Sequence, residues 1–307
     1  MKSIKMKRHN CYNINKGDDN MWIAYAFESA FFAGITAILA KIGVKNVQSN
    51  LATAIRTIVV LIFAWMMVFV VGSYDSIGNI SGYTFTFLIL SGLATGASWI
   101  CYFKALQLGD VNKVVPIDKS STILIMILAF ILIGENISVY KFFSMILIGV
   151  GTYLMIEKKE NEKGHVEKKS WLIYAVLSAI FASLTSILGK IGIENVESNL
   201  GTAIRTIVVL IMAWLIVFYK GEHKEIKNVD KKSWWYIGFS GISTGLSWLC
   251  YYKALQDGEA AVVVPIDKLS ILVTIAFSYF ILKEKISKKS GFGLALITIG
   301  TMFLVFL

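Results

Sequence analysis

The ten residues from Thr53 to Ile62, TAIRTIVVLI, recur unchanged from Thr202 to Ile211. The shift of 149 residues also carries Lys41-Ile42-Gly43 onto Lys190-Ile191-Gly192 and Ser98-Trp99 onto Ser247-Trp248. It carries Lys104-Ala105-Leu106-Gln107 onto Lys253-Ala254-Leu255-Gln256, and Val114 through Lys119 onto Val263 through Lys268. Residues 22–156 align with 171–305 without a gap, and about half the positions are identical. Repeats in transporter halves are usually faint, so identity at this level reads as a recent tandem fusion of one small gene. Whatever one half folds into, the other must fold into as well.

Each half is mostly apolar. The chain of 307 residues is 56% hydrophobic and only 16% charged, with a mean hydropathy of +0.66. A soluble domain carries roughly 25% charged residues, so a soluble enzyme is excluded in practice. The apolar mass falls into five runs per half, 22–43, 51–71, 84–107, 112–133 and 139–156, then 171–193, 200–219, 233–256, 260–282 and 290–307. At 1.5 Å rise per residue each is about long enough for a helix to cross ~30 Å of hydrocarbon. The runs are continuous rather than alternating, which argues against barrel strands. The expected fold is all-α, a polytopic membrane protein of ten transmembrane helices.

Residues 1–20 read as a polar N-terminal tail, 21–156 as the first repeat, 157–170 as a charged linker and 171–307 as the second repeat. The tail lacks the features of a signal peptide, and Met21 stands as an alternative start. An odd helix count per half requires the two halves to insert in opposite senses, making an inverted repeat. Loop charge agrees. Loop 220–232 carries Lys220, Lys224, Lys227, Lys231 and Lys232, whereas its counterpart 71–83 carries no lysine. Loop 283–289 carries four lysines against Lys141 alone in 134–141. The positive-inside bias then favours both termini outside, and it accounts for the net charge of +10 without a nucleic-acid partner.

The order of motifs resembles the EamA repeat of the drug/metabolite transporter superfamily. Each half has an arginine early in its second helix within TAIRTIVVLI and an aromatic-rich third helix ending YFKALQLG or YYKALQDG. A fourth helix with proline near its start follows, then a Gly-Glu or Lys-Glu turn before the fifth. The resemblance implies ten helices around a central cavity, secondary transport of small metabolites, commonly by export, and termini in the cytoplasm, the last against the lysine count. The superfamily's small multidrug branch uses a carboxylate eight residues before a lysine in its first helix. That position here is Ala33, and its copy is Ala182. Glu28 is off register, and its copy is Leu177. Export of cationic drugs is therefore not expected.

Ionisable residues inside a span are costly and mark pairs or wet cavities. Each half carries an arginine, Arg56 or Arg205, a lysine late in its third helix, Lys104 or Lys253, and the adjacent Asp118-Lys119 or Asp267-Lys268. Spacing from the helix ends places each group near one membrane face, so inversion predicts two belts, one at each mouth of a shared cavity. One reading pairs Asp118 internally with Arg56 or Lys104. A second turns the belt's surplus positive charge to an anionic or zwitterionic substrate, and a third makes gating pairs. Trp99, Tyr102 and Phe103, copied as Trp248, Tyr251 and Tyr252, read either as interfacial anchors or as a cavity wall. The candidate substrate-binding residues are thus Arg56, Trp99, Tyr102, Lys104, Asp118, Lys119, Arg205, Trp248, Tyr251, Lys253, Asp267 and Lys268. Pro116 and Pro265 are the only prolines and the candidate hinges, each disturbing the carbonyl four residues earlier, at Asn112 and Ala261. Gly92, Thr95 and Gly96, repeated as Gly241, Thr244 and Gly245, predict close helix packing.

No Walker or HExxH pattern occurs, so the chain does not read as an enzyme. The three histidines are in polar segments, and no Cys/His spacing suits a metal. No cofactor or metal is expected. The expected partners are a small-molecule substrate and the lipid bilayer, with a homodimer as one assembly the sequence allows. The function expected is secondary transport, most simply export, by alternating access in the cell membrane of a prokaryote. Its competitor is a non-transporting integral membrane receptor or assembly partner.

Overall fold

The computed structural model describes residues 21–43, 47–108, 114, 117–155, 170–282 and 287–306, and all regular structure among them is helical. The first half holds α1 (Met21–Gly43), α2 (Ser49–Val71), α3 (Gly82–Leu108), α4 (Ser121–Leu128) and α5 (Val139–Leu154). The second holds α6 (Ser170–Ile193), α7 (Ser198–Tyr219), α8 (Lys231–Asp257), α9 (Ala260–Lys268), α10 (Ser270–Leu282) and α11 (Lys288–Phe306). The tail 1–20, the linker apart from Ser170, and Pro116 lie outside the described residues. Among the described residues seven helical stretches are long and apolar enough to cross a bilayer, one of them running from α9 into α10, and α5 is a shorter apolar helix.

The second half's fourth apolar run, expected as one helix over 260–282, is two helices. The break follows Lys268, where the amide of Leu269 turns back to the carbonyl of Ile266 at 2.9 Å. The first half interrupts its helix at the equivalent place, with the amide of Ser120 bonded to the carbonyl of Ile117 at 3.2 Å. Pro265 lies inside α9, so in the second half the interruption falls four residues after the proline, not at Ala261. In both halves a left-handed glycine follows the second helix, Gly72 directly at φ 76° and Gly221 one residue beyond the cap Lys220 at φ 71°. Each is followed by a 3-10 turn, Ser73–Asn79 or Glu222–Asn228, an element that the sequence pattern did not announce.

The halves interlock rather than sit side by side. The third helix of each packs on the first helix of the other, α3 on α6 and α8 on α1, while α2 meets α7 and α5 meets α11. The register gives direction. Along α3 and α6, Ser91 bonds Thr185 while Ser98 bonds Ser178, so these helices run antiparallel. Along α3 and α7, Gly92 approaches Val208 and Gly96 approaches Met212, so these run parallel. Gly241 on Val59 and Gly245 on Phe63 repeat that contact between α8 and α2. Equivalent helices of the two halves therefore point in opposite directions, as inversion requires. The small residues at these crossings let the backbones close up: a Cβ at Gly92 would stand 2.6 Å from that of Val208.

Polarity is arranged inside out. Ile62 is 65% exposed and Phe69 63%, whereas Ser29, Ser91, Ser178 and Thr206 are fully buried. An apolar exterior with hydroxyls bridging helices inside is the pattern that hydrocarbon solvent selects. Many of the threonines, Thr57 and Thr206 among them, donate to the carbonyl four residues earlier, which satisfies the hydroxyl within its own helix. The chain is a multi-pass, all-helical membrane protein.

Candidate substrate cavity

Where α1, α3, α6, α7, α8 and α9 converge, they leave a cavity of about 320 Å³. Its wall is built from equivalent positions of both halves. Ala33 faces in with Ala182, Ser98 with Ser247, and Trp99 with Trp248. Thr95, Thr185, Ser186, Arg205, Tyr251, Tyr252, Asp267 and Lys268 complete it. The two alanines put methyl groups on the wall at equivalent places of the two first helices.

Arg205 is 1% exposed. Its Nε donates to Ser91 Oγ at 3.3 Å and its Nη2 to Thr95 Oγ1 at 2.9 Å, both on α3 of the other half. Its guanidinium carbon lies 4.5 Å from the Tyr252 ring centre and 5.2 Å from that of Trp248. Two aromatic faces and two hydroxyls therefore hold a buried cation. No carboxylate comes within 4 Å of it among the described residues.

The two aspartates are held in the same way, each by a serine of the opposite half. Ser29 Oγ donates to Asp267 Oδ1 at 2.6 Å, and Ser178 Oγ donates to Asp118 Oδ1 at 2.7 Å. Ser29 has spent its one hydroxyl proton, so Ser247, 3.3 Å away, is the donor to it. Ser98 stands at 3.4 Å from Ser178 in the equivalent place. Ser98 and Ser247 both line the cavity, and each connects it to one aspartate. Of the residues of the two expected belts, Arg205, Asp267 and Lys268 of the second half line this cavity, whereas Asp118 connects to it only through Ser178 and Ser98.

The internal pairing of Asp118 with Arg56 or Lys104 is not found: among the described residues no such pair lies within ion-pair distance, and a serine hydroxyl takes that place. Of the sequence-predicted residues, Trp99, Arg205, Trp248, Tyr251, Asp267 and Lys268 line the cavity. Arg56 and Asp118 are partly buried behind the wall, and Lys119 and Lys104 are exposed. Tyr102 packs in an apolar cluster with Ala105, Val114 and Ala175. Lys253 pairs with Asp257 at 2.9 Å, one turn along its own helix, which draws it to the helix end. Glu28 is exposed on α1, where the thiol of Cys250 approaches it at 3.6 Å. Ser29 and Ser178 were missed, although a serine at the same place in both first helices was there to be read.

A second polar cluster closes one end of the bundle. The carboxylate of Glu135 accepts from the amides of Ala260 and Ala261 at 2.7 and 2.9 Å, capping α9, and pairs with Lys190 at 3.3 Å. Lys190 also donates to the carbonyl of Gly258, and Lys141 pairs with Glu259. The equivalent cluster would use Lys41 and Glu284; the side chain of Lys41 and all of Glu284 fall outside the described residues.

Comparison with known proteins agrees with this architecture. An uncharacterised transporter from the cobO 3′ region of a Sinorhizobium species is 41% identical over 136 residues, which cover 44% of this chain and 96% of that protein. The protein MJ1333.1 of Methanocaldococcus jannaschii is 31% identical over 133 residues, 43% of this chain and 94% of its own length. Both relatives are one repeat long. The uncharacterised transporter YxxF of Bacillus subtilis is 25% identical over 174 residues, 55% of this chain and 54% of its own. A solved crystal structure shares the fold at a TM-score of 0.74 and 16% identity, covering 94% of this chain and 99% of that one. The EamA-like transporter family matches residues 20–157 and 169–306. The chain belongs to that family, with its repeat present twice in tandem.

Proposed function

We propose that this protein is a secondary transporter that moves a small metabolite by alternating access, in the direction of export, across the cell membrane of a prokaryote. In this reading the described helices belong to ten spans inserted as two inverted sets of five. The observation that carries it is the cavity walled by equivalent residues of two oppositely directed halves. A site on such an axis is reached from either side by the same rocking motion. The wall is not symmetric in its charged members: Arg205, Asp267 and Lys268 face the cavity while Arg56, Asp118 and Lys119 do not line it. Rocking to the opposite state exchanges the two sets. Pro265 and the break after Lys268 put the flexible point of the fourth helix beside the cavity, and the first half offers the break at Ser120 as the counterpart. No nucleotide motif is present in the sequence, so an ion or solute gradient drives the cycle.

The test is flux in proteoliposomes. Vesicles holding the purified chain should exchange a labelled metabolite pool faster than empty vesicles. Ala33→Trp or Ala182→Trp, each filling the cavity from a first helix, should abolish the difference while leaving the protein monodisperse. Equal flux in wild type and both tryptophan variants would rule out transport through this cavity.

A further inference from the structure

We infer that the ligand of this cavity is a small organic monoanion, its carboxylate held by Arg205. The inference rests on the transport reading, since it assigns a substrate class to the same cavity.

Charge balance carries it furthest. The described wall holds two cations, Arg205 and Lys268, against one anion, Asp267, leaving one positive charge. Arg56, Asp118 and Lys119 do not line it, so the balance is that of the wall alone. Arg205 is the cation least able to reach water, being 1% exposed. Its hydrogen-bond acceptors, Ser91 and Thr95, are neutral hydroxyls, and the rings of Trp248 and Tyr252 offer quadrupoles but no formal charge. A guanidinium has five N–H donors in one plane. Two are committed to α3, and Nη1 has no acceptor among the described residues. A planar carboxylate matches such an edge in the bidentate manner, and an anion bound there supplies the charge a buried cation needs in hydrocarbon.

The remaining wall sets the body of the ligand. Trp99 and Trp248 give it apolar surface, and about 320 Å³ holds about ten water-sized groups. Asp267 already accepts a short bond from Ser29, which leaves it a poorer partner for a ligand ammonium. A monocarboxylate neutralises the charges of the wall. A zwitterion leaves its surplus charge in place, and a phosphate dianion overshoots.

The test uses the purified full chain in detergent with benzoate and isovalerate as probes. Benzamide, benzylamine, phenylalanine and phenyl phosphate are the comparisons, and binding is read by thermal shift and calorimetry. At least one acid should bind tenfold or more tighter than its amide and than each comparison. Arg205→Gln should lose at least tenfold, and Arg205→Lys should fall between. If Arg205→Gln does not fold, the acid-to-amide ratio of the wild type decides alone. No binding by either acid, an amide as tight as its acid, tighter binding of phenylalanine or phenyl phosphate, or undiminished binding by folded Arg205→Gln would each overturn the assignment. Flux separates the two readings. Transport of a neutral or cationic solute that Ala182→Trp blocks keeps transport and overturns the monoanion, whereas acid binding without any flux keeps the monoanion and overturns transport.

Discussion

Glu135 and Lys190 stand 3.3 Å apart across the boundary between the halves, and the same carboxylate caps α9 through Ala260 and Ala261. Three segments, the connection after α4, the end of α6 and the start of α9, are thereby fixed to one another. Their side chains are only 8% and 16% exposed, so the pair is closer to a buried bridge than to a surface one. Removing one partner of a buried pair costs ~3–5 kcal/mol. Glu135→Ala also orphans two helix amides and should sit in that range, whereas Lys190→Met leaves the cap in place and should cost about half as much. Unfolding in detergent and the double variant would measure the coupling. Single effects that add within about 0.5 kcal/mol would show that the pair does not act as a unit.

The crossing of α3 and α7 leaves no room at Gly92, where an added Cβ would lie 2.6 Å from Val208 Cβ and 3.0 Å from the carbonyl oxygen of Arg205. Gly92→Ala should destabilise by ~1–3 kcal/mol and disturb the arginine with it. Gly238, in the middle of α8, has nothing within 4 Å of such a Cβ. Gly238→Ala should stabilise by ~0.4–1 kcal/mol through the unfolded chain. Opposite shifts in melting temperature from the same chemical change are the expected outcome, and equal shifts would refute the packing argument.

Asp230 caps α8, its carboxylate accepting from the amide of Ser233 at 3.3 Å. Hydrogen bonds from Ser233, side chain first and then backbone, hold this carboxylate below its ordinary value of 3.8. A depressed carboxylate contributes stability above its unfolded value and loses it as pH falls through the folded one. Acidification from neutral pH to below 3.8 should therefore cost wild type more melting temperature than Asp230→Asn, whose amide caps without titrating. Parallel curves would remove Asp230 from the account of acid stability.

The serine–aspartate bonds make a prediction about coupling. If protons drive the cycle, Asp118→Asn, Asp267→Asn or Glu28→Gln should abolish uphill transport while leaving exchange of bound substrate intact. Ser29→Ala and Ser178→Ala remove the donors to Asp267 and Asp118 and should shift the pH profile of transport without abolishing it. Each should also cost ~1–3 kcal/mol in stability, as loss of a bond to a charged group does. An unchanged pH profile in all five variants would exclude proton coupling through these groups.

The all-helical membrane fold and the internal duplication were legible because both rest on local facts: runs of apolar residues at bilayer length, and a copy at constant offset. Inversion followed from parity, and the antiparallel register of α3 on α6 agrees with it. The glycine contacts were legible too, since small residues repeated at helix spacing have few other uses in a membrane. The candidate site was legible only in part. Arg205, Trp248, Tyr251, Asp267 and Lys268 line the cavity, but their first-half copies, Trp99 excepted, do not, although the two sets of residue types are identical.

Residue type and spacing thus determined that polar groups would lie inside the bilayer, and on which helices. They could not determine their partners, because those come from the other half, beyond any local pattern. Lys253 found an aspartate one turn away on its own helix, while Asp118 and Asp267 found serines 60 and 238 residues distant. Nor could a duplicated sequence say which copy faces the cavity. At these positions the two copies carry the same residue types, so the types alone express no preference, and the packing of one half against the other decides.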